Sequence, residues 1–89
     1  MPPRKTSLYK HSHPLNREIR LDIAEKLHRI RVKLYGDGAG NRVTAALAAN
    51  LDPAQYYRYE NGKVMPSFPM LINILVQWKL TWKDFSEQA

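Results

Sequence analysis

The sequence predicts an all-α domain of five helices behind a flexible basic arm, and three observations carry that prediction. Apolar residues recur at steps of three and four over two stretches, Ile19, Ile23, Leu27, Ile30, Leu34 and then Leu71, Ile74, Leu75, Trp78. That is the period of a buried helical face. Residues that start and stop helices punctuate the rest of the chain: Asn41, Asn50, Asp52-Pro53, Asn61-Gly62, Ser67 and Thr81. No stretch reads as a strand, and no internal repeat emerges.

The totals are compatible with one small domain. The chain has 89 residues, 44% of them hydrophobic, which is enough for a core. If both ends fray, about 70 residues remain, near the lower limit for independent folding. There is no cysteine, hence no disulfide framework and no thiolate metal site. No apolar run approaches the ~20 residues of a membrane span, and the N-terminus lacks a signal h-region, so a cytoplasmic protein is expected. The formal charge of +6 and the pI near 9.8 favour a polyanionic partner.

Residues 1–15 form the expected arm, with Arg4, Lys5 and Lys10, three prolines and no acid. His11 and His13 stand without a nearby carboxylate or thiol, so no metal site is expected. The domain, residues 16–89, opens with a helix over Asn16 to Tyr35. Asp22/Lys26 and Glu25/Arg29 are favourable i,i+4 pairs on it. The helix is strongly basic, but Glu18, Asp22 and Glu25 on its polar face favour a packed helix over a membrane-surface one.

Gly36-Asp-Gly-Ala-Gly40 breaks the pattern. No strand precedes these glycines and no Gly-Lys-Ser/Thr follows, which argues against a phosphate loop and for a flexible connection. Asn41 is the expected N-cap of a thin, alanine-rich second helix from Arg42 to Ala49. Asn50 can take the left-handed conformation that stops it. Asp52 is the N-cap of a third helix, Pro53 suits its first position, and Gln55 completes a capping-box pair with Asp52. Tyr56 and Tyr59 share one face, and Asn61-Gly62 ends the helix. Ser67 caps a fourth helix with Pro69 in its first turn. Lys79-Leu80 is a turn, and Thr81, with Asp84 three residues on, caps a short fifth helix carrying Trp82 and Phe85.

From Asn41 to Phe85 the sequence resembles the Cro/repressor-type helix-turn-helix family (XRE, lambda-repressor-like). Tyr59-Glu60-Asn61-Gly62-Lys63 matches the end of that family's recognition helix, and Pro66-Ser67 follows at the family's distance. Leu71, Ile74, Leu75, Trp78, Leu80, Thr81, Trp82 and Phe85 fall on its apolar and capping positions without a gap. Helix one matches more loosely, through Ile30-Arg31. Counted back from Glu60, the family's Leu-Ala falls on Ala45-Ala46, although the literal Leu-Ala is Leu47-Ala48. This register puts Asn50 at the helix-ending glycine, Asp52 at the capping serine and Arg42 at the opening glutamine, with a longer loop at Gly36 to Gly40.

The resemblance implies a lambda-repressor-like fold and a sequence-specific double-stranded DNA-binding regulator, a repressor by expectation, whose third helix enters the major groove. Ala54, Gln55, Tyr57 and Arg58 would then meet the bases. Arg58 is the first choice, bidentate to a guanine, against a phosphate contact. Gln55 is divided between reading adenine and the capping box, Ala54 is a candidate for a thymine methyl, and Tyr57 for a phosphate or sugar. Arg42, Asn61 and Lys63 would contact the backbone, as would Arg4 and Lys5 from the arm. Asp52, Tyr56, Tyr59 and Glu60 would hold the helix, with Glu60 paired to Arg31 and the two tyrosine hydroxyls at the core's edge.

A symmetric homodimer is expected, because one module buries too little for tight selective binding. Trp82, Phe85 and the end of the fourth helix are the candidate dimer residues, against completion of the monomer core. An antitoxin or adaptor-type interaction module is the alternative function. No nucleophile-base constellation, carboxylate pair, metal set or effector pocket is visible, so neither catalysis, a cofactor, a membrane partner nor a small-molecule effector is expected.

Overall fold

Residues in the left-handed region decide where the helices of this chain end. The computed structural model describes residues 14–88, and the secondary structure there is all helical. The helices are α1 (Pro14–Tyr35), α2 (Ala39–Ala48), α3 (Pro53–Glu60), α4 (Phe68–Gln77) and α5 (Trp82–Ser86). Asn50 (φ 61°), Gly62 (φ 75°) and Lys79 (φ 62°) follow α2, α3 and α4. At each, the left-handed residue bonds back to the carbonyl three before it, and the next residue bonds to the carbonyl five before it. The pairs are Asn50 to Leu47 and Leu51 to Ala46, Gly62 to Tyr59 and Lys63 to Arg58, and Lys79 to Val76 and Leu80 to Leu75. These are Schellman closures, which satisfy carbonyls a helix end would otherwise leave open.

The starts of α3, α4 and α5 are set by side-chain caps, and that of α2 is not. Ser67 Oγ accepts from the Met70 N–H at 3.2 Å. Thr81 and Asp84 form a complete capping box, with Asp84 N–H to Thr81 Oγ1 at 3.1 Å and Thr81 N–H to Asp84 Oδ2 at 2.8 Å. In α2 the sequence points to Asn41 as the N-cap, but the helix begins at Ala39 with Gly38 as a cap that offers no side-chain bond. The Gly38 carbonyl accepts from both Asn41 (3.0 Å) and Arg42 (3.1 Å), so the glycine-rich segment is partly wound into the helix. Asn41 instead lies over Gly36, where φ is +98° and a side chain would collide with it.

The expected start of α1 at Asn16 becomes Pro14, whose fixed φ suits a first turn. The expected stripe along α1 holds only in its middle. Ala24, Leu27 and Ile30 are buried, while Ile19 and Leu34 are exposed. At 22 residues α1 is about 33 Å long, and its ends run past the core. Leu27 and Ile30 pack with Ala45, Ala46 and Ala49 of the α2 segment, Tyr56 and Tyr59 of α3, Leu71, Ile74, Leu75 and Trp78 of the α4 segment, and Phe85 of α5. Leu47 is 62% exposed where Ala45 and Ala46 are sealed, so the buried pair is Ala45-Ala46. Alanines there let α2 approach closely, and Trp78 uses that proximity: its Nε1–H donates to the Ala45 carbonyl at 2.9 Å. Its ring lies 5.8 Å from each of Tyr35 and Tyr56. Phe85 completes this core, which is one of the two places the sequence left open for it. Trp82, by contrast, is half exposed beside exposed Phe68, with ring centroids 5.7 Å apart.

Among the described residues, no helix is long and apolar enough to cross a membrane. The arm residues Arg4, Lys5 and Lys10, and the His11/His13 pair, lie outside the described residues.

Candidate functional site

Helices α2 and α3 are joined by the short turn Ala49 to Asp52 and pack on each other and on α1. Asp52 caps α3 by accepting from the N–H groups of Ala54 (3.1 Å) and Gln55 (3.3 Å). The reciprocal half of the expected capping box is not made. Gln55 points along its own helix, where Nε2 donates to the Tyr59 hydroxyl at 2.9 Å and Oε1 accepts from Arg58 Nη1 at 3.3 Å. Arg58, a donor one turn ahead, takes the side-chain oxygen, so the Asp52 backbone N–H goes without it.

The inner face of α3 carries Tyr56, Tyr59 and Glu60, all buried. Glu60 is the centre of a buried charge cluster. Its carboxylate accepts from Arg31 Nε (3.0 Å) and Nη2 (2.5 Å), and from the Tyr56 hydroxyl (2.6 Å). His28 Nδ1 sits 3.0 Å from Oε2, and Arg42 Nε lies 3.6 Å from the same oxygen. Arg31 is fully buried and its Nη1 donates to the Gly36 carbonyl at 2.8 Å, so one guanidinium ties α1 to α3 and to the loop before α2. Burial alone would push the Glu60 carboxyl up, but the bonds from Arg31, Tyr56 and His28 outweigh it and hold the group down at about 2. The bond to Glu60 is the main reason the Arg31 guanidinium is pushed up from its ordinary value. The Tyr56 hydroxyl is likewise pushed well up, first by burial and then by the carboxylate. The sequence-based expectation put both tyrosine hydroxyls at the core's edge. Tyr59 meets it, whereas the Tyr56 hydroxyl is buried on Glu60.

The outer face of α3 carries Ala54, Tyr57 and Arg58, all exposed and spaced as one helical face, with Gln55 half-buried at its margin. The first turn of α3 holds no acid. Asn61 and Lys63 follow at the helix's end, both exposed. Arg42 bridges the two helices. It does not open α2, as the sequence suggested, but stands in its second turn, with its guanidinium stacked 4.1 Å over the Tyr57 ring. Its Nε is buried without a hydrogen-bond partner, held only by the field of Glu60. Asn61 first and Arg42 second pull the Tyr57 hydroxyl below its ordinary pKa. Beneath this stack, between the starts of α2 and α3, is a cleft of about 270 Å³ lined by Ala39, Arg42, Val43, Pro53, Ala54 and Tyr57.

Sequence reasoning missed three parts of the arrangement. His28 reaches Glu60 because it shares a face with Arg31 three residues on; the spacing is visible in the sequence, but the target is not. Arg20 Nε donates to the Gly62 carbonyl at 2.7 Å, fastening α1 to the end of α3, and a side chain at Gly62 would come within 2.8 Å of Leu21. Val43 lines the cleft, a role its surface position on α2 does not announce. Among the described residues, no group of three or more His, Cys, Asp or Glu could hold a metal ion.

No family model, curated protein or solved structure matches the chain.

Proposed function

We propose that this protein is a sequence-specific double-stranded DNA-binding regulator, acting as a repressor, with a lambda-repressor-like domain that presents α3 to the major groove. The observation that carries this reading is the division of α3 into two faces. One face is fixed by Asp52, Tyr56, Tyr59 and the buried Glu60–Arg31 pair. The other leaves Ala54, Tyr57 and Arg58 exposed with no acid among them. A groove reader needs this, because side chains can discriminate bases only if the helix that carries them does not shift. The formal charge of +6 suits a phosphate-lined partner. The motifs around Tyr59-Glu60-Asn61-Gly62 and Pro66-Ser67 add the likeness to Cro/repressor-type proteins.

In this reading Arg58 reads a guanine, and Gln55 positions Arg58 and Tyr59 more than it reads a base. Arg42, Asn61 and Lys63 grip the backbone, joined by Arg4 and Lys5 of the arm. Two copies would bind as a symmetric dimer on a two-fold operator, with Trp82 and Phe68 the aromatic surface available for the contact. The test is selection of bound duplexes from a random pool, followed by titration with salt. Enrichment of a defined site, with affinity falling steeply as salt rises, is the expected result. Binding without any retained sequence preference would refute it and leave an antitoxin or adaptor module as the better account.

A further inference from the structure

The head group of Arg42 is held on two sides by its own protein. Its Nε is buried without a hydrogen-bond partner, 3.6 Å from Glu60 Oε2, and its guanidinium plane lies 4.1 Å over the Tyr57 ring. Arg31 already meets the Glu60 charge with two direct bonds, so that pair does not need Arg42. What the position of Arg42 fixes is Tyr57. The Tyr57 side chain is 41% exposed on the outer face of α3, clear of the core. A tyrosine at such a helical position has two favourable χ1 rotamers, and an arginine stacked on its face selects one. The selected one leans the ring toward the start of α2, where it shares a cleft with Ala39 and Val43. The hydroxyl is constrained as well. Asn61 and Arg42 act on it as hydrogen-bond donors, which is why its pKa is lowered. A phenolic oxygen that accepts from its own protein keeps one proton to give outward.

We infer that Arg42 is a positioning residue: stacked on Tyr57 and facing Glu60, it fixes the Tyr57 hydroxyl as a hydrogen-bond donor to one phosphate oxygen of the bound backbone. The inference rests on the DNA-binding reading and deepens it, since the part of Arg42 in gripping the backbone is delivered by Tyr57. A phosphate oxygen is the acceptor that suits this donor. Its negative charge would lie beside the Arg42 cation. It also only accepts, which complements an oxygen whose acceptor side is already engaged. The amino groups of adenine and cytosine would need that engaged side. Lysine in place of Arg42 would keep the charge and lose the plane that holds the ring.

The test pairs Arg42→Lys with Tyr57→Phe, which keeps the ring and removes the hydroxyl. Equilibrium affinity for the selected duplex is measured for each variant and for the double variant. Tyr57→Phe should bind roughly tenfold more weakly, the loss of one hydrogen bond to a charged group. Arg42→Lys should lose a similar factor alone but under about twofold when Tyr57→Phe is already present, so the two losses do not add. A second readout is one that a merely structural role would not move. Each phosphate of the duplex is replaced singly by an uncharged methylphosphonate. One position per half-site should weaken the wild type and leave both single variants almost unaffected. Thermal unfolding identical to the wild type would show that the variants are folded. Should Arg42→Lys melt early, Arg42→Gln takes its place, with the same coupling expected. If Tyr57→Phe binds within about twofold of the wild type, the hydroxyl meets no phosphate and the inference falls. If the Arg42 variant loses the same factor with and without the hydroxyl, Arg42 meets the backbone on its own and the positioning role is refuted. In both cases the DNA-binding reading stands. If no duplex is enriched at all, both readings fall.

Discussion

Removing the charge of Glu60 should cost this domain a large part of its stability. The substitution Glu60→Gln keeps the size of the side chain and takes away the negative charge that Arg31, Tyr56 and His28 surround. Arg31 is fully buried, and its other close contacts include the Gly36 carbonyl and a ring nitrogen of His28, neither of which carries a negative charge. Breaking a buried pair by neutralising one partner leaves the other charge uncompensated, at a cost of about 3–5 kcal/mol. The pKa gives a concordant figure. Lowering the carboxyl from its ordinary 4.5 to about 2 is equivalent to about 3 kcal/mol. A domain of this size has a total stability on the order of 4–11 kcal/mol, so the variant would be near the edge of folding.

The sign of the pH dependence follows from the direction of that shift. A carboxyl whose pKa is depressed on folding contributes its full stability above about 4.5 and loses it as pH falls toward 2. Urea unfolding, followed by tryptophan fluorescence (Trp78 is buried in the core) and by circular dichroism, measures both effects. At pH 7 the variant should lose about 3–5 kcal/mol. Between pH 5 and 2.5 the gap between the two proteins should narrow, because unfolding of the wild type then takes up a proton at this carboxyl, and it closes only as the folded carboxyl itself is protonated near 2. The double variant Arg31→Met/Glu60→Leu should recover much of the loss, because it buries no lone charge. A loss under about 1 kcal/mol at pH 7, or a gap that does not narrow in acid, would refute the view that this cluster anchors α3.

Other substitutions test other parts of the structure. Lys79→Gly should stabilise the domain by about 1 kcal/mol, read as a higher urea midpoint, because a non-glycine residue there is held at φ 62°. Asp52→Ala removes a cap that accepts from two N–H groups and should cost about 1 kcal/mol in the same assay. Arg58→Ala should relax preference at one base pair by about 1–3 kcal/mol in competition binding, whereas Lys63→Ala should weaken all duplexes alike and lower the salt slope by about one. Equal weakening by Arg58→Ala on every sequence would make it a phosphate contact.

The sequence by itself determined the elements and most of their boundaries. Asn50, Asp52, Gly62, Ser67 and Thr81 act on their own or neighbouring backbone, within a few residues, so their effect does not depend on what the rest of the chain does. The same holds for the split of α3, since helical spacing alone sends Tyr56 and Tyr59 one way and Tyr57 and Arg58 the other. The start of α2 was less legible. An asparagine is the better cap, but glycines impose so little conformation that the helix could extend back to Ala39. Only the tertiary structure decided the partners across helices. It brought His28 to Glu60, set Arg42 over Tyr57, joined Trp78 to the Ala45 carbonyl and took Phe85 into the core while leaving Trp82 outside. Each of those choices depends on where one helix lies against another, and that is fixed by packing over distances no local pattern encodes. The cleft at Val43 and Ala54 has the same origin: neither residue is unusual in its own helix, and the pocket exists only because the two helix starts meet.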